Sequence, residues 1–264
     1  MARIQSGLSA AMAAILAAAC TPAADGGSPV ASPPVAAAIS ASVPRRAVPA
    51  PRPAAPPAAA LAAPGGAGWL VDAASGCWLW THTAAPGVAA SWTGACPRGP
   101  AEGPGEARFA WSQDGAARAR TVTGNFRRGR IEGEGSAIAP GGERYTGSFR
   151  DGRGNGRGRI LFPNGNTYEG GIVDDRAQGR GVYTFTNGDR YEGDLVANLA
   201  TGRGVYTWGN GDRYEGGIRD NRPDGQGSYQ TQRGLFAGTW NYGCFRDPAS
   251  GTRVAMWRDI AECP

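Results

Sequence analysis

The chain contains no lysine and only one histidine, His82, so its 27 fixed side-chain cations are all arginines. A single histidine needs acidic or thiol partners before it can help to hold a metal, and we expect His82 to be structural or solvated. The five cysteines contain no Cys-x-x-Cys pair, the spacing typical of a structural zinc site. No serine or cysteine motif for nucleophilic attack accompanies the histidine. The sequence therefore predicts no metal, no cofactor and no catalytic residue.

Aromatic residues are absent from residues 21–67, where eleven prolines fall between Pro22 and Pro64. Without large apolar side chains this stretch cannot build a core. Its composition predicts a disordered, Pro/Ala-rich linker with local polyproline geometry. Such a linker would act as a spacer in front of the rest of the chain.

Long hydrophobic runs are also scarce. The apolar segment LSAAMAAILAAA begins at Leu8 and is shorter than the ~20 residues of a transmembrane helix. Because Arg3 precedes it and small residues end it, the segment has the form of an export signal. We therefore predict a signal peptide over residues 1–20.

The signal ends in ILAAAC, which resembles the lipobox of bacterial lipoproteins, in which the cysteine, here Cys20, is lipidated and becomes the new N-terminus. The usual leucine stands one place too early, at Leu16, and ordinary cleavage after Ala19 fits the same small residues. By the sorting rule of such lipoproteins, Thr21 in place of Asp indicates the outer membrane. The alternatives are an outer-membrane lipoprotein facing the periplasm, a secreted or periplasmic soluble protein, and an uncleaved anchor.

The 43 glycines mark an internal repeat. In most copies an aromatic-x-Gly triplet is followed by Gly-x-Gly, which begins nine residues after the glycine of the triplet; for example, YEG at 191–193 precedes GRG at 202–204, and a weaker copy has Val122 in place of the aromatic residue. The copies start at 92, 122, 145, 168, 191 and 214, with a partial copy at 236, so the central spacing is 23 residues. We therefore assign residues 92–243 to one repeat array.

Each copy predicts a β-hairpin. The segment NGDRYEG occurs twice, and Asn-Gly between two strands favours a two-residue type I′ turn with positive φ at both residues. A two-residue loop at Asn187-Gly188 would place Thr184 opposite Tyr191. Tyr183 and Tyr191 would then lie on opposite faces. A lone hairpin is marginally stable, so we expect each one to stack on its neighbours.

The combination YEG…GxGxYxxxNGDR at 23-residue spacing resembles the MORN repeat (membrane occupation and recognition nexus) over about residues 92–243. The resemblance implies an all-β fold, an elongated single-layer antiparallel sheet of tandem β-hairpins, often curved with an aromatic-lined groove. A disordered N-terminal segment would precede it. The family name points to lipid binding, but many members look like scaffolds or dimerising modules.

The recurring aromatic and acidic side chains are candidates for such a groove. They are Tyr168, Tyr191, Tyr214, Tyr183, Phe185, Tyr206, Trp208, Glu169, Glu192 and Glu215. Paired carboxylates also serve glycosidases, which makes a hydrolase of envelope glycans an alternative. A catalytic pair needs two different environments, whereas repetition gives each glutamate the same one. We therefore interpret the glutamates as a ladder paired with arginines such as Arg190 and Arg213.

An arginine-rich patch is a second candidate surface, suited to anionic lipid headgroups or a polyanion. Its members are Arg127, Arg128, Arg130, Arg150, Arg153, Arg157 and Arg159. The acids Glu132 and Glu134 lie among them and dilute the positive field. The segment GRGNGRGR at 152–159 resembles RNA-binding tracts, but export argues against nucleic acid as a partner.

Four cysteines beyond the signal form two pairs, each separated by 19 residues, on either side of the repeats. Four cysteines allow three connectivities. We favour Cys77–Cys96 and Cys244–Cys263, because the array should hold its ends apart and because disulfides persist after export. A zinc site is the competing interpretation. The pairs predict disulfide-containing caps at residues 68–91 and 244–264.

These features together predict a non-enzymatic envelope protein that acts as an interaction scaffold and is tethered to a membrane by a lipidated N-terminus. The expected partner is an unidentified envelope protein. An anionic lipid headgroup or a glycan is the alternative partner.

Overall fold

The computed structural model describes residues 65–257 together with Pro56, Leu61, Ala261 and Cys263. The signal peptide and lipobox predicted at residues 1–20 lie outside the described residues, as does nearly all of the linker predicted at 21–67. Within the described part of the chain, no helix is long and apolar enough to span a membrane.

Strands dominate the described residues, as the repeat pattern predicts. The strands are β1 Gly68–Val71, β2 Trp78–Thr81, β3 Ala89–Trp92, β4 Gly103–Gln113, β5 Ala116–Arg127, β6 Arg130–Ile138, β7 Arg144–Arg150, β8 Arg153–Leu161, β9 Thr167–Val173, β10 Arg176–Thr184, β11 Arg190–Val196, β12 Leu199–Thr207, β13 Arg213–Arg219, β14 Arg222–Thr231, β15 Gly234–Asn241, β16 Cys244–Arg246 and β17 Arg253–Ala255.

Strands β3 to β17 form one antiparallel sheet of 15 strands, in which each strand pairs with its neighbours in sequence. Strands β1 and β2 form a separate two-stranded sheet. Each 23-residue copy therefore contributes two adjacent strands, and every connection in the large sheet is a hairpin. The predicted all-β array of tandem hairpins is confirmed.

The predicted two-residue loop at the Asn-Gly pair is wrong. Strands β10 and β11 pair Tyr183 with Tyr191, one residue away from the expected register. The Gly188 N–H donates to the Phe185 carbonyl at 3.0 Å, and the Phe185 N–H donates to the Asp189 carbonyl at 2.9 Å. These bonds enclose a three-residue loop that ends in a left-handed Gly188, with φ of 88°. Since a one-residue change of register moves side chains to the other face, the two tyrosines share a face.

Two-residue turns with positive φ at both residues lie at the opposite edge, which we call the turn edge; the edge with the three-residue loops is the loop edge. Asp174 and Asp175, with φ of 46° and 68°, join β9 to β10. Ala197 and Asn198 do the same between β11 and β12, at 48° and 75°. The Asn198 N–H donates to the Ala177 carbonyl at 3.0 Å, and the Asn198 Oδ1 accepts the Ala177 N–H at 2.7 Å. Each turn is thereby bonded to the preceding hairpin.

Tyrosine rings lying on glycines form the core of the repeats. Tyr168 is fully buried, and its ring lies on Gly181, where a Cβ atom would come within 2.5 Å of it. Gly181 faces Gly170 across the β9–β10 pair. The Tyr168 hydroxyl donates to the Gly171 carbonyl at 2.8 Å. The same packing and the same hydroxyl bond recur at Tyr145, Tyr191 and Tyr214. We call the face of the sheet that bears these rings the tyrosine face.

The N-terminal cap packs against the turn edge. Cys77 and Cys96 form a disulfide with Cα atoms 5.6 Å apart, as favoured from the sequence. The Trp80 N–H donates to the Gly129 carbonyl at 2.9 Å, and the Arg130 guanidinium lies 4.3 Å from the centre of the Trp80 ring. The cap is therefore bonded to the turn between β5 and β6 of the array, in addition to its link to the first strand.

The C-terminal cap reaches back over the repeats. Cys244 and Cys263 form the second disulfide, with Cα atoms 5.5 Å apart. Trp257 packs against Tyr206 at 5.2 Å and Trp208 at 5.8 Å between ring centres, although these two residues belong to β12 and the loop after it. Two disulfides of this kind indicate an oxidising environment outside the cytoplasm.

Candidate interaction surfaces

The five repeated tyrosines proposed for a groove are core residues. Tyr168, Tyr191, Tyr214, Tyr183 and Tyr206 are all between 0% and 4% exposed. Burial raises the pKa of the Tyr214 hydroxyl to about 12, and it raises the pKa of the other four as well. These rings are held by neighbouring strands, so they offer little area to a partner.

The two other aromatic candidates, Phe185 and Trp208, are half-buried at the loop edge. Phe185 packs 6.2 Å from both Tyr183 and Tyr206, measured between ring centres. Trp257 covers part of Trp208. An aromatic column therefore exists on the tyrosine face, but much of it is occupied by the protein itself.

The glutamate candidates lie on the face opposite the tyrosines, which we call the charged face. Glu169, Glu192 and Glu215 are exposed, each next to a buried tyrosine in its strand. Glu192 bonds Arg190 at 2.6 Å and Glu215 bonds Arg213 at 2.5 Å, as the ladder interpretation predicts. The structure therefore does not bring the tyrosine and glutamate candidates together in one groove.

The arginine candidates do lie close together. Arg127 is directly opposite Arg130, and Arg150 is directly opposite Arg153, on either side of two neighbouring turns. These four alternate with buried residues of the tyrosine face, so they project on the charged face. The patch is continued along β8 by Arg157 and Arg159, and Arg128 lies in the first of the two turns.

Part of the arginine patch is already engaged. Arg130 bonds Asp151 at 2.9 Å, and Arg159 bonds Glu169 at 3.0 Å. Arg150 donates to the Asn155 side chain at 2.9 Å. Arg127, Arg128 and Arg157 make no ion pair with another described residue. The patch therefore keeps exposed, uncompensated positive charge.

A ladder of polar acceptors at the loop edge was not anticipated from the sequence. The Asn166 Oδ1 accepts the Thr186 N–H at 3.1 Å. One repeat later, the Asp189 carboxylate accepts the Gly209 N–H at 2.9 Å and the Tyr206 hydroxyl at 2.7 Å. The sequence signal was the recurrence of Asn or Asp at 23-residue intervals, two residues before each YEG motif.

Glu143 occupies the same position one repeat earlier, but its partners are missing. The residue that should supply the backbone N–H is Pro163, which has none, and the residue that should supply the hydroxyl is Ile160 instead of tyrosine. Glu143 is 8% exposed, and its Oε2 atom is buried without a hydrogen-bond partner. A buried acceptor without a donor costs about 1–3 kcal/mol.

A pocket opens beside this carboxylate. Ala137 lines it where the later repeats carry tyrosine, and Ala139 lines it where they carry phenylalanine or tryptophan. Glu143, Arg120 and Asp175 supply its charged groups. The pocket is partly open to solvent. It is therefore a gap in the aromatic column that is lined in part by charged groups.

The charges of the pocket influence one another. Burial raises the pKa of the Asp175 carboxyl, while the Gly154 N–H at 2.5 Å and the charges of Arg120, Arg153 and His82 act against that rise. Burial lowers the pKa of the Arg120 guanidinium, and the Asp175 carboxylate opposes the change. No group of three or more His, Cys, Asp or Glu side chains suited to a metal occurs among the described residues.

This architecture defines an all-β repeat protein built from tandem hairpins on one continuous sheet. A family model of the MORN repeat matches residues 123–144, 145–167, 168–190, 191–213 and 214–235. The chain thus contains five tandem MORN repeats over residues 123–235. No curated protein shows a significant match to it. The match supports a role in protein interaction or membrane binding, and it leaves lipidation as a prediction.

Proposed function

We propose that the protein is a non-enzymatic interaction scaffold of the bacterial cell envelope, tethered to the outer membrane through a lipid on Cys20, whose partner is another envelope protein. One observation carries the proposal: apart from the pocket beside Glu143, the tyrosine face is filled by buried side chains of the repeats, whereas the charged face presents exposed side chains on every strand from β7 to β13. The recurrent acids of that face are held in ion pairs with arginines, an arrangement that provides a patterned surface rather than a reactive pair.

An exposed aliphatic cluster on the charged face is the favoured contact point. Val196 and Leu199 face each other across the β11–β12 pair at the turn edge and are 48% and 37% exposed. Val173, which is 46% exposed, lies at the same edge on β9, two strands away from β11. Arg176, directly opposite Val173, lies on β10 between Val173 and Val196, so a basic side chain stands within the cluster. Apolar residues with a charged rim are typical of protein interfaces.

Photo-crosslinking in the native cell tests the scaffold. A photoreactive residue at Val196 should give a protein adduct of defined mass, identifiable by mass spectrometry. The matched control is the same residue at Asn187, which is exposed at the end of the preceding repeat and lies at the loop edge. Absence of any protein adduct from positions 173, 196 and 199 would contradict the proposal.

Binding of anionic lipid through the arginine patch is the second candidate function. The observation in its favour is that Arg127 faces Arg130 and Arg150 faces Arg153, since like charges directly opposite each other destabilise a sheet. A bound phosphate would relieve that repulsion. Each arginine near an anionic surface contributes on the order of 1 kcal/mol.

Vesicle co-sedimentation tests this second function. Vesicles containing phosphatidylglycerol should pellet the chain at low salt, and a variant with Arg127, Arg128, Arg150 and Arg153 changed to Ser should lose most of that binding. The control for net charge replaces four exposed arginines outside the patch by Ser, namely Arg180, Arg190, Arg203 and Arg213. Binding that survives the fourfold change would exclude the patch as the lipid site.

The tether is tested separately. Metabolic labelling with a clickable fatty acid should mark the wild-type chain and should not mark a Cys20→Ala variant. Fractionation would then place the labelled chain in the outer membrane. An unlabelled wild-type chain in the soluble periplasmic fraction would favour plain secretion.

A further inference from the structure

At the pocket beside Glu143, small side chains replace the aromatic rings that the later repeats carry. Positions 183, 206 and 229 carry tyrosine, and their rings lie close to Phe185, Trp208 and Phe236 in the aromatic column. At the two preceding positions of the 23-residue period the chain has Ala137 and Ile160. The gap therefore has one wall made of Phe149, Ile160 and Ile172.

The missing polar partner comes from a second change in the same period, because the hydroxyl that Glu143 lacks would come from position 160, which is Ile. In the complete repeat, the Tyr206 hydroxyl donates to Asp189 at 2.7 Å, and a second contact of this kind joins Tyr229 to Asp212 at 3.2 Å. Glu143 stands at the acceptor position of that contact but has no tyrosine to meet it. Its buried Oε2 therefore needs one donor, at the rim of a space lined by apolar side chains.

These two gaps specify the chemistry of a ligand. An apolar ring would fill the space left by Ala137 and Ala139, and a single hydroxyl donor would satisfy Glu143. The Arg120 guanidinium, which also lines the pocket, favours an aromatic face over a second cation. A ring that ends in a hydroxyl donor is a phenol, the group that the protein itself uses at the equivalent sites.

We propose that the pocket formed by Ala137, Ala139, Glu143 and Arg120 binds the phenol side chain of a tyrosine presented by a partner protein. This inference deepens the scaffold proposal, because it names one side chain that a partner would insert. It is tested with small molecules on the purified chain, so its failure is distinguishable from failure of the crosslinking experiment at Val196.

Calorimetric titration of the full chain with p-cresol and toluene tests the chemistry. We expect p-cresol to bind about tenfold more tightly than toluene, because a hydrogen bond to a charged acceptor typically provides that much or more. N-acetyltyrosinamide should bind in preference to N-acetylphenylalaninamide by a similar factor. Binding of p-cresol without binding of the tyrosine amide would indicate a free phenol and would overturn the protein partner.

Variants of the pocket complete the test. Glu143→Met, which removes the acceptor at similar volume, should abolish the preference for p-cresol and leave toluene binding in place. Ala137→Tyr should block both ligands by restoring the ring of the repeat; Ala139→Phe serves the same purpose if the first variant does not fold. Glu169→Gln on the charged face is the matched control. Equal affinities for p-cresol and toluene in the wild-type chain, or binding that persists in both filled variants, would overturn the proposal.

Discussion

The repeats over 168–235 and those over 123–167 share one backbone but differ in what fills the tyrosine face. The later repeats carry a continuous aromatic column, in which Tyr183 lies 4.6 Å from Tyr168 and Tyr206 lies 4.6 Å from Trp208 between ring centres. The earlier repeats have Ala137 and Ile160 at the corresponding positions and a pocket beside them. The backbone therefore tolerates the loss of these rings, and the column supplies stability rather than topology.

The two regions also differ at the turn edge. The later turns have Asp175, Asn198 and Asn221 as their second residue, and each side chain accepts a backbone N–H of the preceding hairpin at 2.5–2.8 Å. The earlier turns have Gly129 and Gly152, which lack that acceptor. The N-terminal cap packs on these glycine turns, so the side-chain contact is replaced by a contact from another part of the chain.

Alkaline pH should have the largest effect, and it should act mainly on the later repeats. Burial raises the pKa of seven tyrosines, to about 12 at Tyr145, Tyr214 and Tyr229, from about 10 in an unfolded chain. Their neutral forms therefore stabilise the fold fully below pH ~10, and this contribution is lost as the pH rises through the folded values. We expect cooperative loss of the strand signal in circular dichroism together with phenolate absorbance at 295 nm. Gradual ionisation from pH 10 with an intact strand signal would contradict the expectation.

Truncating a tyrosine should be the most damaging single change. Tyr168→Ala removes a fully buried ring and should lower the free energy of unfolding by about 4 kcal/mol, as for other large aromatic side chains. The equivalent change in an earlier repeat, Val122→Ala, removes less buried surface and should cost about 2 kcal/mol. Urea unfolding followed by circular dichroism measures both. Equal costs would show that the rings contribute no more than any apolar side chain.

A methyl group placed under a tyrosine ring should be the next most costly change. In Gly181→Ala the new Cβ would lie 2.5 Å from the Tyr168 ring, which its hydroxyl bond holds in place, so we expect a loss of about 2 kcal/mol. In Gly124→Ala the nearest atom is the flexible end of Ile131, at 2.8 Å, and the loss should be about 1 kcal/mol. Thermal melting of the two variants compares them directly. A less stable Gly124 variant would refute the assigned role of the ring.

The period, the order of the strands in the sheet and the disulfide partners were predicted correctly from the sequence, because each follows from spacing along the chain. It placed the type I′ turns at the wrong edge. The Asn-Gly motif carries an extra residue in its loop, since the Asn187 side chain accepts the Asp189 N–H at 3.1 Å and stabilises the longer form. The true type I′ turns contain Asp174-Asp175 or Ala197-Asn198, pairs whose left-handed backbone is less evident from residue type.

The pocket could have been partly predicted from the sequence. Aligning the copies shows Ala137 and Ile160 where tyrosine recurs, and Pro163 where a backbone donor recurs. Those changes predict a gap in the column. They do not reveal that Glu143 remains buried beside it, because burial depends on how the neighbouring strands close around the loop.

Replacing the acceptor side chain of a later turn by the glycine of the earlier turns should have the smallest effect. This change tests how the turns stabilise the array. Asn198→Gly keeps a residue suited to positive φ but removes the bond to the buried Ala177 N–H, so we expect a loss of about 1 kcal/mol, measured by urea unfolding. Asn198→Asp, which copies Asp175, should stay within a few tenths of a kcal/mol of the wild type. The reverse change, Gly152→Asn, meets His82, whose Nε2 would lie 3.4 Å from the new Cβ and is 2.7 Å from the Asp151 carbonyl. That variant should displace the cap rather than stabilise the turn, because at this end of the array the cap occupies the space that an acceptor side chain uses in the later repeats.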